Sequence, residues 1–81
     1  MIGTDNYYSI ANFNLTLSKS GHVNIMVIDI MGKTISVIKD EFMYSDNYNF
    51  RWDSVDNVSG VYFITVNVNN TIMSQKIVLV K

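Results

Sequence analysis

Apolar side chains recur at every second position along most of the chain. In the clearest run, Tyr48, Phe50 and Trp52 alternate with polar residues. Successive side chains of a β-strand point to opposite faces, so a period of two predicts a strand with one buried face. The other alternating runs are residues 13–17, 22–29, 33–39, 61–68 and 72–80, with 7–10 as a further candidate. No segment long enough for a helix repeats with a helical period, so the pattern predicts an all-β sandwich or barrel of six or seven strands.

Polar segments between these runs indicate where the chain turns. Asp29-Ile30-Met31-Gly32 has Asp and Gly at the first and fourth positions of a type I turn, where Gly is free to take a positive φ. We therefore expect a tight hairpin here. Asn69-Asn70 predicts a second short turn, because Asn tolerates left-handed backbone. Residues 40–46 are irregular and predict a crossing loop with some buried aromatic side chains.

The apolar faces of the predicted strands define an expected core. Three aromatic residues on one face make residues 48–52 a central core strand in this interpretation. The predicted core consists of Phe13, Leu15, Val23, Ile25, Val27, Ile35, Phe50, Trp52, Tyr62, Ile64 and Val66.

Composition limits the size of the fold and the chemistry it supports. The 81 residues, 48% of them apolar, suffice for a single domain over 1–81. A net charge of −1 without a basic patch argues against nucleic acid as a partner. There is no cysteine, which excludes disulfides, cysteine nucleophiles and thiolate metal ligands. The longest apolar stretch, Ile25–Ile28, is too short to span a bilayer.

Motifs for catalysis or metal binding are missing from the sequence. There is no Gly-rich phosphate loop, no nucleophile elbow, and no His and carboxylate residue close together in sequence. His22 is the only histidine and is expected to be solvated. Asp53, Asp56 and Asn57 lack the regular spacing of a calcium loop and are better explained by turn formation. We therefore expect no catalytic residue, no cofactor and no metal.

Four segments, in order along the chain, carry a resemblance to a known family. The hairpin around residues 23–33 reads strand, Asp, two apolar residues, Gly and a basic residue. Phe50-Arg51-Trp52-Asp53 gives an aromatic strand, Ser59-Gly60-Val61-Tyr62-Phe63 gives a Ser-Gly-x-Tyr segment, and 75–81 reads Lys, apolar run, Lys. In this order and spacing they resemble the type A C-terminal sorting domains of type IX secretion. The family usually has Asn-Pro before its first full strand, where this chain has Asn12-Phe13 and no proline.

The resemblance implies a fold, a function and a location. It implies an immunoglobulin-like antiparallel β-sandwich that is not an enzyme, is monomeric, and forms the C-terminal module of a longer exported protein. It would act as a sorting signal, read by an outer-membrane translocon and followed by a sortase-like peptidase. The attached protein would pass through the periplasm to the cell surface or the medium. The candidate sorting residues are Asp29, Gly32, Lys33, Gly60, Tyr62, Lys76, Val78 and Lys81.

The same residues leave alternatives open. Asp29 and Gly32 form a turn whether or not a receptor reads them, and Tyr62 fits either a tyrosine corner or simple packing. Lysines such as Lys76 and Lys81 also protect an edge strand from aggregation. A carbohydrate-binding or structural accessory module of a secreted enzyme is the alternative function. A planar strip of exposed Tyr and Trp would favour sugar binding, whereas a buried Trp52 favours the sorting signal.

Overall fold

The computed structural model describes residues 6–7, 10–53 and 57–80, and these contain strands, turns and no helix. The predicted all-β class is confirmed. The short strand expected within 7–10 is placed differently, because one strand ends at Tyr7 and the next begins at Ile10. The strands are β1 (Asn6–Tyr7), β2 (Ile10–Leu17), β3 (Gly21–Asp29), β4 (Thr34–Met43), β5 (Asp46–Asp53), β6 (Gly60–Val68) and β7 (Thr71–Leu79).

The strands form two sheets. The larger has the order β1-β7-β6-β3-β4, and the smaller consists of β2 paired with β5. The run β7-β6-β3-β4 has the order of the G, F, C and C′ strands of an immunoglobulin variable domain, and β2 with β5 corresponds to strands B and E. The immunoglobulin-like sandwich expected from the resemblance agrees with this arrangement.

Period-two alternation builds the core as the sequence predicts. In β2, β3 and β6 every second side chain is buried between the two sheets. Nine of the eleven predicted core residues are buried, while Ile35 and Phe50 are half-buried and pack against the core. The sequence interpretation missed five buried side chains: Ala11, Leu17, Met43, Ile77 and Leu79.

The predicted crossing loop over residues 40–46 is wrong, because β4 continues to Met43 and pairs with β3 along its length. The two register shifts of this pairing lie earlier in β4, at residues 34–39. Residues 40–43 pair in regular register, and the consecutive charged residues Asp40 and Glu41 hid the strand. Lys39 and Glu41 lie opposite the core residues Ile25 and Val23, so they are on the inner side of an edge strand and form an ion pair of 2.7 Å. Inward-pointing charges of this kind discourage another strand from adding to the edge.

The aromatic side chains of that segment are also not buried as expected. Phe42 is 56% exposed and Tyr44 is 74% exposed, and their rings meet edge to face. Met43, between them in sequence, is the residue that enters the core. Only Tyr44 and Ser45 connect β4 to β5.

One further expectation about strand position needs correction. The aromatic strand β5 is not central, because it belongs to the two-stranded sheet and, among the described residues, pairs only with β2. The expected antiparallel pairing is confirmed for β2 to β7, and the short β1 runs parallel to β7, with Asn6 opposite Val78 and Tyr7 opposite Leu79. Period-two patterns report which face of a strand is buried, but they do not report which neighbour it pairs with.

Candidate functional site

Most of the candidate sorting residues meet at one end of the sandwich, although 49 positions separate the first from the last described one, Asp29 from Val78. Asp29 lies opposite Tyr62 in the β3–β6 pair. Gly60 lies opposite Leu79, and Val61 lies opposite Val78 in the β6–β7 pair. We call this the motif end, formed by the 30–33 turn, residues 57–60 and the last residues of β7. The opposite, far end carries the Asn69-Asn70 turn.

The first component of the motif end is the β3–β4 turn. The backbone N–H of Gly32 donates to the carbonyl oxygen of Asp29 at 3.0 Å, and the N–H of Asp29 donates to the carbonyl oxygen of Lys33 at 3.0 Å. Gly32 has a φ of 84°, as the sequence predicts. Asp29 Oδ1 accepts two further bonds of 2.9 Å from the N–H groups of Met31 and Lys33. The carboxylate therefore holds the turn closed by binding its backbone.

The second component is Tyr62, which both packs in the core and bonds to the loop before it. Its side chain is buried, and its ring meets the buried Trp52 edge to face with centroids 5.5 Å apart. Its hydroxyl donates a hydrogen bond of 2.7 Å to the carbonyl oxygen of Val58. Tyr62 stands near the start of the strand that corresponds to strand F, where a tyrosine corner is found. Both interpretations of Tyr62 therefore hold together.

Large apolar side chains are exposed at this end. Ile30 is 73% exposed, Met31 is 86% exposed and Val58 is 76% exposed. We call these three residues the apolar tip. A groove of about 420 Å³ lies at the motif end, and Ile30, Val58 and Asp29 are among its lining residues. Ile30, Met31 and Val58 were not among the candidate sorting residues, although two apolar residues inside the predicted turn were a visible signal.

The remaining candidate residues lie around this end. Lys33 follows the turn and is exposed, and it has no ion pair within the described part of the chain. Lys76 is exposed and lies opposite Phe63, and the half-buried Val78 lies two residues further along β7. Lys81 lies outside the described residues. The structure thus brings Asp29, Gly32, Lys33, Gly60, Tyr62 and Val78 together, with Lys76 one row farther along the sheet.

The geometry around His22 and the acidic residues gives little support for a metal site. His22 is solvent-exposed as expected, and its Nε2 lies 2.6 Å from Asp40 Oδ1. This contact with His22 and a hydrogen bond from Asn24 lower the pKa of Asp40. In the described ranges, no group of three or more His, Asp or Glu side chains could hold a metal ion, and Asp56 of the suggested calcium loop falls outside them.

A sugar-binding platform would need flat, exposed aromatic rings. Trp52 is buried, which is the arrangement expected for the sorting signal. The exposed rings of Phe42 and Tyr44 are nearly perpendicular, at 85°, so they do not form a plane. Within residues 6–7, 10–53 and 57–80, no helix is long and apolar enough to cross a membrane.

Comparisons with known proteins agree with the resemblance. A family model described as the secretion system C-terminal sorting domain matches residues 9–81. Searches of curated proteins and of solved structures found no match. Members of the matching family are sorting signals and not catalysts, and they engage the type IX secretion machinery. The chain belongs to the family of C-terminal sorting domains, which direct exported proteins through type IX secretion to the cell surface or the extracellular space.

Proposed function

We propose that the outer-membrane translocon reads this domain at its motif end while the sandwich is folded. The observation that carries the proposal is the convergence of three distant segments on neighbouring strands. Asp29 lies on β3, Gly60 and Tyr62 on β6, and Val78 on β7. An unfolded segment could not present them together. The domain then acts as a monomeric, non-catalytic module at the C-terminal side of a longer exported protein, and a sortase-like peptidase acts after translocation.

The last strand offers a second contact. On one side, β7 pairs with β6 along its whole length. On the other side, β1 covers only Val78 and Leu79, so within the described residues 71–77 have no strand partner there. Free backbone groups along such an edge allow an extended segment of a receptor to pair with it. Lys76 is exposed beside this edge.

A reporter fusion tests the proposed function. The domain, with its native upstream residues, is fused to the C-terminus of a periplasmically exported reporter in a type IX-secreting bacterium. We expect the reporter at the cell surface. Protease accessibility on intact cells separates surface protein from periplasmic protein. If the intact fusion stays in the periplasm while another cargo of the same translocon reaches the surface, the sorting role fails and a structural module takes its place.

Deletion of Lys76–Lys81 should retain the reporter in the periplasm, but it also removes Ile77 and Leu79 from the core. The deletion therefore has to be shown to be folded, by circular dichroism and urea unfolding of the isolated domain. Replacing the exposed Lys76 by Glu avoids this problem, because no core contact is lost. A matched control replaces Asn14 and Asn49 by Ser; these residues bond to each other on the exposed face of the β2–β5 sheet.

A further inference from the structure

The residues that define the motif are already committed to contacts inside the domain. The carboxylate of Asp29 binds two backbone N–H groups of its own turn. The hydroxyl of Tyr62 donates to Val58, and its ring is buried against Trp52. Gly32 has no side chain to offer and is required for its positive φ. These residues shape the surface, but they present little for a partner to bind.

What they hold in place is the apolar tip. Asp29 and Gly32 fix the turn that carries Ile30 and Met31, while Tyr62 fixes the carbonyl of Val58. A tight turn needs no apolar side chains at its centre, since polar residues and Gly are preferred there. Exposed apolar side chains grouped around a groove mark interaction surfaces. The tip is thus the part of the motif end that gains most by being covered.

We propose that Ile30, Met31 and Val58 are the residues that the type IX machinery contacts directly, in a docking interface formed with an apolar protein surface that carries an acidic group at its margin. This inference rests on the proposed function and names the chemistry of the partner. The apolar part of the partner matches the tip. The acidic group matches Lys33, whose ammonium is exposed and has no ion pair in the described part of the chain, while the Asp29 carboxylate is already bound.

Other exposed apolar residues fit this role less well. Phe42 and Tyr44 at the far end already pack against each other, with ring centroids 5.3 Å apart. They also lie near the paired charges of Lys39 and Glu41. Ile30 and Met31 are more exposed than Phe42, at 73% and 86%. A single lysine beside them does not favour an anionic membrane surface.

The reporter fusion also tests the tip. The double variant Ile30→Ser, Met31→Ser should lower surface display by about tenfold or more, because two apolar side chains no longer become buried in the interface. The matched control Val37→Ser, Phe42→Ser removes two exposed apolar side chains on β4, each 56% exposed, and should be displayed like the parent. Ile30→Leu, Met31→Leu should restore display. Lys33→Glu should reduce it more than Lys33→Gln.

The outcomes separate the two proposals. If the parent fusion is displayed and the folded Ser double variant is displayed equally well, the tip is not the contact, although the sorting function stands. If the parent fusion is not displayed, the proposed function itself fails. Urea unfolding of the isolated domain shows whether the double variant is folded.

Crosslinking gives a second measurement that does not depend on the stability of the Ser variant. A photoreactive amino acid at Met31 should crosslink to an outer-membrane component of the type IX machinery, and one at Val37 on β4 should not. Crosslinking at Met31 to a second copy of the domain, or to lipid alone, would overturn the inference.

Discussion

The two tight hairpin turns of the large sheet lie at opposite ends, and they reverse the chain with different backbone conformations and different side chains. The far-end turn uses Asn69 and Asn70, with φ of 49° and 69°, and both side chains are polar. The motif-end turn uses one positive φ, at Gly32, and exposes Ile30 and Met31. A hairpin of this sheet can therefore be closed without any apolar residue. The apolar residues at the motif end need a reason other than folding.

The two ends also differ in how deeply the tyrosine that bonds to the adjacent loop is buried in the core. At the motif end the buried Trp52 supports Tyr62, whose hydroxyl holds the loop at Val58. At the far end Tyr48, only half-buried, donates a comparable bond to the carbonyl of Tyr44 in an exposed setting. Substitutions at the motif end should therefore cost more stability than equivalent changes at the far end.

Removing Trp52 should have the largest effect. Trp52→Ala should reduce the free energy of unfolding by about 3–5 kcal/mol, because it leaves a cavity beneath Tyr62. Tyr48→Ala, on the same strand and the same face, should cost clearly less, because Tyr48 is half-exposed. Urea unfolding followed by circular dichroism measures both. If the two variants lost the same free energy of unfolding, packing at the two ends would contribute equally to stability.

Gly32 offers the next largest effect. Gly32→Val should cost roughly 1–2 kcal/mol or more, because a β-branched residue resists the left-handed backbone. Gly32→Asn should cost less, since Asn already occupies this conformation at Asn69 and Asn70. Thermal unfolding compares the variants. A Gly32→Val protein as stable as Gly32→Asn would contradict the positive φ on which the turn depends.

The tyrosine hydroxyls give a smaller contrast. Tyr62→Phe should cost about 1 kcal/mol, because the partly buried bond to the carbonyl of Val58 is lost. Tyr48→Phe should have a smaller effect, because its bond is exposed and water replaces it. Chemical denaturation of the two single variants makes the comparison, and the reverse order would show that the far-end bond is the stronger one.

The smallest effect concerns the contact between His22 and Asp40 at the far end. The hydrogen bonds from His22 and Asn24 lower the pKa of Asp40 below its ordinary value of 3.8. Stability from this pair is present above pH 3.8 and is lost as the pH falls through the lower folded value. NMR titration of the Asp40 carboxyl should show the lowered pKa, and His22→Ala should return it toward 3.8. An unchanged pKa in that variant would assign the shift to another cause.

Local chemistry made parts of the fold predictable. Asp29 and Gly32 fix a type I turn through their own backbone and side-chain preferences. At the far end, Asn69 and Asn70 fix a tight turn of the other hand, with positive φ at both residues. The alternation of β2, β3 and β6 predicted their buried faces because the opposite sheet covers one face of each strand. The end of edge strand β4, residues 40–43, was predicted as a loop because Glu41 stands where a covered strand would carry an apolar residue.

Long-range partners were not predictable from these patterns. No local signal shows that Asn6 pairs in parallel with Val78, or that β5 has a single neighbour. The candidate sorting residues came from the resemblance, and they did not include Ile30, Met31 and Val58 of the apolar tip. Exposure of Ile30 and Met31 depends on what the rest of the fold leaves uncovered, and that is known only once the strands are assembled.

The position of β7 links the motif end to synthesis of the last strand of this domain. This strand supplies Ile77 and Leu79, both almost fully buried, and it also pairs with β1. A nascent chain that stops before Ile77 lacks part of its hydrophobic core and one neighbour of β6. We therefore expect the folded surface at the motif end to be complete only when β7 is present and paired with β6. Where the domain follows a longer protein, a folded motif end would therefore be present only on chains whose preceding part has already been synthesised.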